Sequence, residues 1–326
     1  MKTSGIGGQA VIEGIMMRNK DKYAIAVRKP DNEIELSVRE SRLLTEKYKW
    51  LNFPVIRGVF NFVDSLVTGV STITYSASFY DDPAEQKKTK ADEIGKAIFK
   101  DKLESVLMAV TIIISVALAV GLFMVVPYFV SRLLAGVVTS QFLLNFLEGI
   151  VRVVIFLLYL VAISHMNDIK RTFMYHGAEH KCINCIEKGR PLTVKDVKRS
   201  SRQHKRCGTS FLLFVVLVSV IVFFFIRVDN MALKLVLRIA LVPVIAGISY
   251  EIIRLAGRSD NIVVRIISAP GLWMQKLTTK EPDEDMIEVA IASVEAVFDW
   301  KAYLKETFGY EVDDSWMQDT TAAEEP

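Results

Sequence analysis

Four long apolar runs constrain this chain more than any other feature. They cover residues 106–129, 142–163, 211–226 and 235–253, and the third can extend back through Thr209. A helix needs about 20 apolar residues to cross a bilayer. The first two runs meet that length outright and the other two come close to it. A soluble chain of 326 residues would usually form two domains and spread its apolar residues over amphipathic elements. Here the 51% hydrophobic content is gathered into blocks, which favours a membrane class over a soluble helical core.

Orientation follows from lysine and arginine. The segment between the second and third runs carries eleven of them against four acids, Asp168, Glu179, Glu187 and Asp196. The turn after the first run offers only Arg132, and the turn after the third offers Arg227 and Lys234 beside Asp229. By the positive-inside rule the basic segment and both termini face the cytoplasm, and an even number of spans agrees with that. The overall charge of +3 is too small to argue for nucleic acid. Lys2 is followed by no apolar stretch of the kind a cleavable signal peptide needs.

The flanks read as amphipathic. Residues 22–29 and 33–38 are strands joined by a turn at Pro30-Asp31-Asn32, the second of them half-buried, and residues 9–17 add a third strand. Pro54 opens a helix with Val55, Val59, Val63, Leu66, Val67 and Val70 on one face and Arg57, Asn61, Asp64 and Thr68 away from it. Arg57 and Asp64 argue for an interfacial or packed helix over a fifth span. Residues 262–277 are again amphipathic, with a break expected at Pro270-Gly271. Asp283 can cap a last helix whose stripe is Met286, Ile287, Ala290, Ile291, Val294, Val297 and Phe298. Residues 81–90 read as a charged linker and the part after Glu311 as an acidic, disordered tail.

These readings give a predominantly α-helical polytopic membrane protein. It has four transmembrane helices, a small N-terminal antiparallel β element and amphipathic flanking helices. Its expected parts are a cytoplasmic β-containing cap (1–50), an amphipathic helix and charged linker (51–105), spans one and two (106–164), a basic cytoplasmic loop (165–208), spans three and four (209–255) and an amphipathic C-terminal region with an acidic tail (256–326).

All four histidines and all three cysteines lie between His165 and Cys207. An odd, clustered set of cysteines does not suit a secreted disulfide framework and fits reduced cytoplasmic thiols. Within this stretch His176-Gly-Ala-Glu179-His180 is the reversed form of the zinc-protease motif. On a helix the two histidines, four residues apart, share a face, and Glu179 lies beside them. Two neutral imidazoles can hold a divalent cation, most naturally zinc, while the carboxylate takes a proton from activated water. Gly177 weakens a pure helix reading. His204-Lys-Arg-Cys207 stands just before the third run, where His204, Cys207 or, at the inner end of the fourth run, Glu251 would complete the ligand shell. Thr193 and Asp196 form a capping box for a short helix leading there. Two alternatives stand beside a catalytic site. Cys182, Cys185, His204 and Cys207 would make a closed structural centre, and plain hydrogen-bonding histidines would need no metal at all.

Three further polar groups need a reading. His165 is structural. Glu148 and Arg152, four apart inside the second run, are either functional intramembrane charges or a self-neutralising pair near the outer leaflet. Lys234 and Arg238 are expected to snorkel.

Five blocks are distinctive together: Gly7-Gly-Gln-Ala-Val-Ile-Glu-Gly-Ile-Met-Met-Arg18, Tyr175-His-Gly-Ala-Glu-His-Lys181, Arg206-Cys-Gly-Thr-Ser-Phe211, Ala246-Gly-Ile-Ser-Tyr-Glu251 and Ala269-Pro-Gly-Leu-Trp-Met-Gln-Lys-Leu-Thr-Thr279. In these the chain resembles the family called domain of unknown function 1385, the YqhQ-type bacterial membrane proteins, over nearly its whole length. The resemblance implies a multi-pass protein of the bacterial inner (plasma) membrane, metal-dependent, without a settled activity. It implies His176, Glu179, His180, His204 and Cys207 as the functional set, with Glu13 as a further polar candidate. Cys182 and Cys185 stand where the family is associated with other residues, which weighs against the closed centre.

The functional expectation is an integral membrane metalloprotein, a metal-dependent hydrolase at the cytoplasmic face with Glu179 as base. The alternative is a non-enzymatic membrane factor that docks on anionic lipid, the ribosome or the protein translocase through its basic loop. A transporter would need repeats or broken helices, which the sequence lacks, or assembly as a homo-oligomer.

Overall fold

The computed structural model describes residues 3–41, 48–80, 103–226, 228, 230–259 and 261–309. The charged linker at 81–90, the acidic tail after Glu311, and Arg227 and Asp229 lie outside the described residues. The chain divides into two compact units. One is Met1–Tyr80, Leu160–Val218 and Leu241–Pro326; the other is Asp81–Tyr159 and Ser219–Ala240.

The first unit begins with an antiparallel sheet of four strands in sequence order, β1 (Gly7–Val11), β2 (Gly14–Asn19), β3 (Lys22–Arg28) and β4 (Ile34–Glu40). The single strand expected over 9–17 is instead a hairpin, with Val11 opposite Gly14 and Gly7 opposite Arg18. Glu13 turns the chain with a positive φ of 47°. Both sheet faces are covered. Ile15, Met17 and Ala26 join one core, while Met16, Ile25 and Val27 pack against Tyr75 and Phe79 on the other side. Double cover erases the two-residue alternation in β2 and β3. It survives in β4 at the edge, the strand read as half-buried.

Helix α1 (Ile56–Ala77) is amphipathic, but with its faces exchanged. Its buried residues are Gly58, Gly69, Thr72 and Ser76, while Val63, Leu66, Val67, Val70 and Ile73 are exposed. The polar groups face protein. Arg57 pairs with Glu251, Asp64 with Arg18, and Asn61 donates to the Tyr250 hydroxyl. The remaining helices in chain order are α2 (Leu103–Val120), α3 (Val126–Leu133), α4 (Gln141–Ser164), α5 (Asn167–Glu187), α6 (Val194–Lys198), α7 (Gly208–Phe224), α8 (Met231–Arg258), α9 (Ile262–Thr278), α10 (Glu284–Glu295) and α11 (Trp300–Phe308). In α9 the same exchange occurs, with Ile262, Val263, Ile266 and Trp273 exposed and Ser268, Gly271 and Gln275 buried. Helix α9 runs unbroken through Pro270, which sits on the exposed side where its missing donor disturbs no packing.

The helix begun by Asp283 is α10, yet the Asp283 side chain makes no capping bond, and α10 is followed by α11, capped by Asp299. The stripe residues Val297 and Phe298 lie beyond the end of α10. The basic segment is largely helix. It holds α5, buried from Tyr175 onward apart from the partly exposed His176, and α6, which Thr193 caps as expected. Several of its cations find acids within the same unit: Arg171 with Glu13, Lys181 with Glu281, Lys198 with Glu284 and Arg206 with Glu187.

Among the described residues three helical stretches are long and apolar enough to cross a membrane: Val106–Gly136, Gln141–Ser164 and Met231–Arg258. The third apolar run forms α7, a helix of 17 residues that stops at Phe224. The expected Glu148–Arg152 pair forms within α4 in the second unit. Lys234 and Arg238 do not snorkel. Both are buried and turn onto Glu148, because a desolvated carboxylate on the neighbouring helix holds them more strongly than an apolar surface would.

Candidate metal centre

Three elements of the first unit meet at His176. Helix α5 carries His176, Glu179 and His180 on one face. The segment leading into α7 brings Cys207, and the segment after α9 crosses α5 at Gly177. A Cβ on Gly177 would lie 2.0 Å from the Lys280 carbonyl oxygen, so only glycine lets this crossing come so near the helix. The crossing is tied by Lys280 N–H donating to the Phe173 carbonyl at 2.9 Å. On the other side β1 passes over Glu179, and a Cβ on Gly8 would lie 3.1 Å from Glu179 Cγ.

Each imidazole is fixed by a backbone carbonyl. His176 Nδ1 is 2.9 Å from the Thr278 oxygen and His180 Nδ1 is 2.6 Å from the Arg202 oxygen. A carbonyl only accepts, so both Nδ1 atoms carry hydrogen, leaving Nε2 as the ligand atom. His176 Nε2 lies 3.2 Å from Cys207 Sγ, and the two rings are 4.4 Å apart. One ligand atom from each of His176, His180 and Cys207 falls within 4.8 Å of the others; His180 and Cys207 are buried and His176 is nearly so. Tetrahedral zinc would space such donors about 3.3–3.7 Å apart, judged from its bond lengths. His176 Nε2 and Cys207 Sγ, at 3.2 Å, need to part slightly and no pair exceeds 4.8 Å, so small shifts bring the three donors to that geometry and the donor set fits the ion.

The electrostatics agree. Burial pushes the Cys207 thiol up, but His176 and His180 outweigh it and hold the group well below the usual thiol range. Burial lowers His176, yet the facing Cys207 and then Glu179 raise it to about 9. Cys207 also stands at the start of α7, where the Thr209 N–H donates to Sγ at 3.3 Å. Glu179 Oε2 is buried, 3.8 Å from His176 Nε2, and makes no hydrogen bond. A buried carboxylate oxygen is ordinarily hydrogen-bonded, so this one beside the cluster is an exception that calls for an explanation.

The other sequence candidates are placed elsewhere. His204 Nε2 lies 3.5 Å from Glu187 Oε2, while its ring centre is 5.7 Å from that of His180. Glu251 is held by Arg57 through two hydrogen bonds and supplies no ligand atom to the cluster. Cys182 and Cys185 sit in the apolar core, the second donating to the Pro191 carbonyl. At about 100° per residue they fall across α5 from His176, so the closed four-ligand centre does not assemble. Burial raises both thiols, Cys185 to about 12. Cys182→Ala and Cys185→Ala should leave metal content unchanged and cost about 1–2 kcal/mol of stability through small cavities; a lost ion in either variant would restore the four-ligand reading. Glu13 accepts from Arg171 and from the Tyr175 hydroxyl, away from the cluster. The His165 ring bonds the Val161 carbonyl of its own helix.

Sequence reasoning missed the supports. Gln275 is fully buried and spans His204: its Oε1 accepts the His204 N–H, and its Nε2 donates to the His204 carbonyl and to Ser210 Oγ. Its signal was its place in the block from Ala269 to Thr279. Glu187 accepts from the Ser4 N–H and hydroxyl and pairs with Arg206. Burial raises it, but His204 and Arg206 bring it down to about 2. A depressed carboxylate contributes stability above its unfolded value of 4.5 and loses it as pH falls from there toward 2. That difference amounts to at most about 3 kcal/mol. Glu187→Gln should therefore melt lower at pH 7, and its thermal midpoint should fall less than wild type between pH 4.5 and 2. Parallel pH profiles of the two proteins would contradict this.

A family model described as a protein of unknown function, DUF1385, matches residues 53–300. Over 289 residues the chain is 34% identical to "Uncharacterized protein YqhQ" of Bacillus subtilis (strain 168), which covers 88% of this chain and 90% of that protein. No solved structure matches it. The family match runs from before α1 to the start of α11 and takes in His176, Glu179, His180 and Cys207, so the chain belongs to the DUF1385 family.

Proposed function

We propose that this chain is an integral membrane metalloprotein that holds one divalent ion, zinc by its donor chemistry, at His176, His180 and Cys207 and acts as a hydrolase at the cytoplasmic membrane face. The observation that carries the reading is the pair of imidazoles. Each is locked by a carbonyl on Nδ1, and His176 Nε2 faces the Cys207 sulfur, with the unpartnered Glu179 carboxylate alongside. Three protein ligands leave a fourth position open, the arrangement of catalytic zinc sites. When bound, the ion would supply Lewis acidity and lower the pKa of water at that position. Glu179 takes the proton from the attacking water and returns it to the leaving group. Thr278 and Arg202 hold the two rings in their tautomers, and Gln275 keeps the 204–207 segment in place.

The membrane part of the reading rests on the three apolar helices and on the outward apolar faces of α1 and α9. With α7 as a short fourth span, both termini lie in the cytoplasm. Resistance of the protein to alkaline extraction from membranes, and cytoplasmic accessibility of tags at both ends, test this; release into the supernatant would end it. The catalytic part is tested by hydrolytic activity of Glu179→Gln with its metal retained. Docking on the ribosome or translocase has less to stand on, since several cations of the basic segment already pair with acids of their own unit.

A further inference from the structure

In the second unit one carboxylate meets three cations. Glu148 Oε1 accepts from Arg152 at 3.1 Å and from Arg238, and Oε2 accepts from Lys234 at 3.4 Å. All four side chains are at most 7% exposed. Glu148 cancels one positive charge, so the buried cluster keeps an excess of two. The surroundings are built to ease that excess. The helix opens into a wider turn at Gly121–Val125, and the Phe123 carbonyl there accepts from Arg152 Nε at 2.9 Å. Arg152 and Arg238 both lie over the Phe223 ring, at 4.8 and 5.2 Å, and Lys234 lies 5.1 Å from the Tyr128 ring centre. Carbonyl dipoles and ring faces attract cations but cancel no charge. Arg238 Nε, moreover, is buried with no acceptor among the described residues.

We propose that Lys234 and Arg238 bind a phosphate oxygen of an anionic phospholipid headgroup. Three observations carry it: the uncancelled charge, the unused Arg238 donor, and a small cavity that both cations line with Tyr128 and Met231. The cavity has room for one water-sized atom, which suits a single oxygen presented from outside and not a whole inorganic phosphate. Depth agrees. Lys234 and Arg238 stand three and seven residues into α8, about 5 and 10 Å along the helix from its start. With α8 entering a bilayer at its start, Lys234 stands near the level where headgroups meet the acyl region and Arg238 one turn deeper. The site is remote in sequence from the metal ligands and independent of them; it rests on α4 and α8 lying in a membrane.

The test is the thermal midpoint of delipidated, detergent-purified protein titrated with phosphatidylglycerol, phosphatidylcholine, sodium phosphate and sodium chloride. Phosphatidylglycerol should raise the wild-type midpoint saturably, and the other three should not. Lys234→Met should lose at least tenfold in apparent affinity, and Lys234→Arg should keep most of it. Lys234→Met retains the Arg152–Glu148–Arg238 contacts, so its own midpoint without lipid should stay near wild type. An equal response to chloride or free phosphate would overturn the lipid assignment, as would an undiminished shift in Lys234→Met. No shift in wild type would also sink it. A protein that stays soluble without detergent would refute the membrane reading itself, a different failure.

Discussion

Protein purified without chelator is expected to carry about one zinc ion per chain, and His176→Ala/His180→Ala to carry none. Neither remaining donor of the cluster, Cys207 or the nearby Glu179, can hold a divalent ion alone against buffer. Cys207→Ser should also fall well below stoichiometric, because a hydroxyl is a far poorer zinc donor than a thiolate. Glu179→Gln is the informative partner. It should keep the ion and lose hydrolysis by about a hundredfold to ten-thousandfold, the range for removing a general base. Loss of the ion in that variant would make Glu179 a ligand and leave the site without a base. Glu251→Gln should keep the ion, since Glu251 is engaged by Arg57. Metal analysis by mass spectrometry reads all five proteins at once and distinguishes copper, which can use the same donors. Wild type without stoichiometric metal would sink the enzyme reading.

The long apolar helices were legible because an apolar run is a property of composition and needs no tertiary contact to be seen. The pairing of His176 with His180 was legible because helical spacing alone brings them together. Where a partner comes from far along the chain, the sequence was silent. Glu251 and His204 looked like ligands until Arg57 and Glu187 claimed them, and Arg57 stands 194 residues from Glu251. The atoms that lock the imidazoles are backbone carbonyls of Thr278 and Arg202, which carry no side-chain signal in the sequence. For α1 the sequence left two arrangements open, interfacial or packed. Periodicity shows that a helix has two faces but not which one turns inward, and here the apolar face is exposed while Arg57, Asn61 and Asp64 meet protein. Cys182 and Cys185 could not be excluded from the sequence, because their three-residue spacing keeps them neighbours on a helix; only the fold shows that Cys207 joins His176 and His180 instead.

Gly177→Ala should unfold this centre although it strengthens the helix. In an open helix the change to alanine would favour folding by about 1 kcal/mol. Here the new methyl would lie 2.0 Å from the Lys280 oxygen, 3.2 Å from its carbonyl carbon and 3.5 Å from Pro282 Cδ. Two of those atoms are backbone and cannot rotate aside, so the whole crossing must lift. Overpacking of that kind costs typically about 1–3 kcal/mol or more. Lifting it also pulls at the Lys280 N–H bond to Phe173 and at the Thr278 carbonyl that orients His176. The expected result is a thermal midpoint lower by several degrees, together with a zinc affinity about 10–100-fold weaker, as for other losses of an orienting partner. Gly208→Ala is the control. It neighbours Cys207, opens α7, and has no atom within 4 Å of its added carbon, so both stability and zinc affinity should stay near wild type. If the two variants behave alike, the crossing at Lys280 is pliant, and the tautomer of His176 is set by something other than its packing.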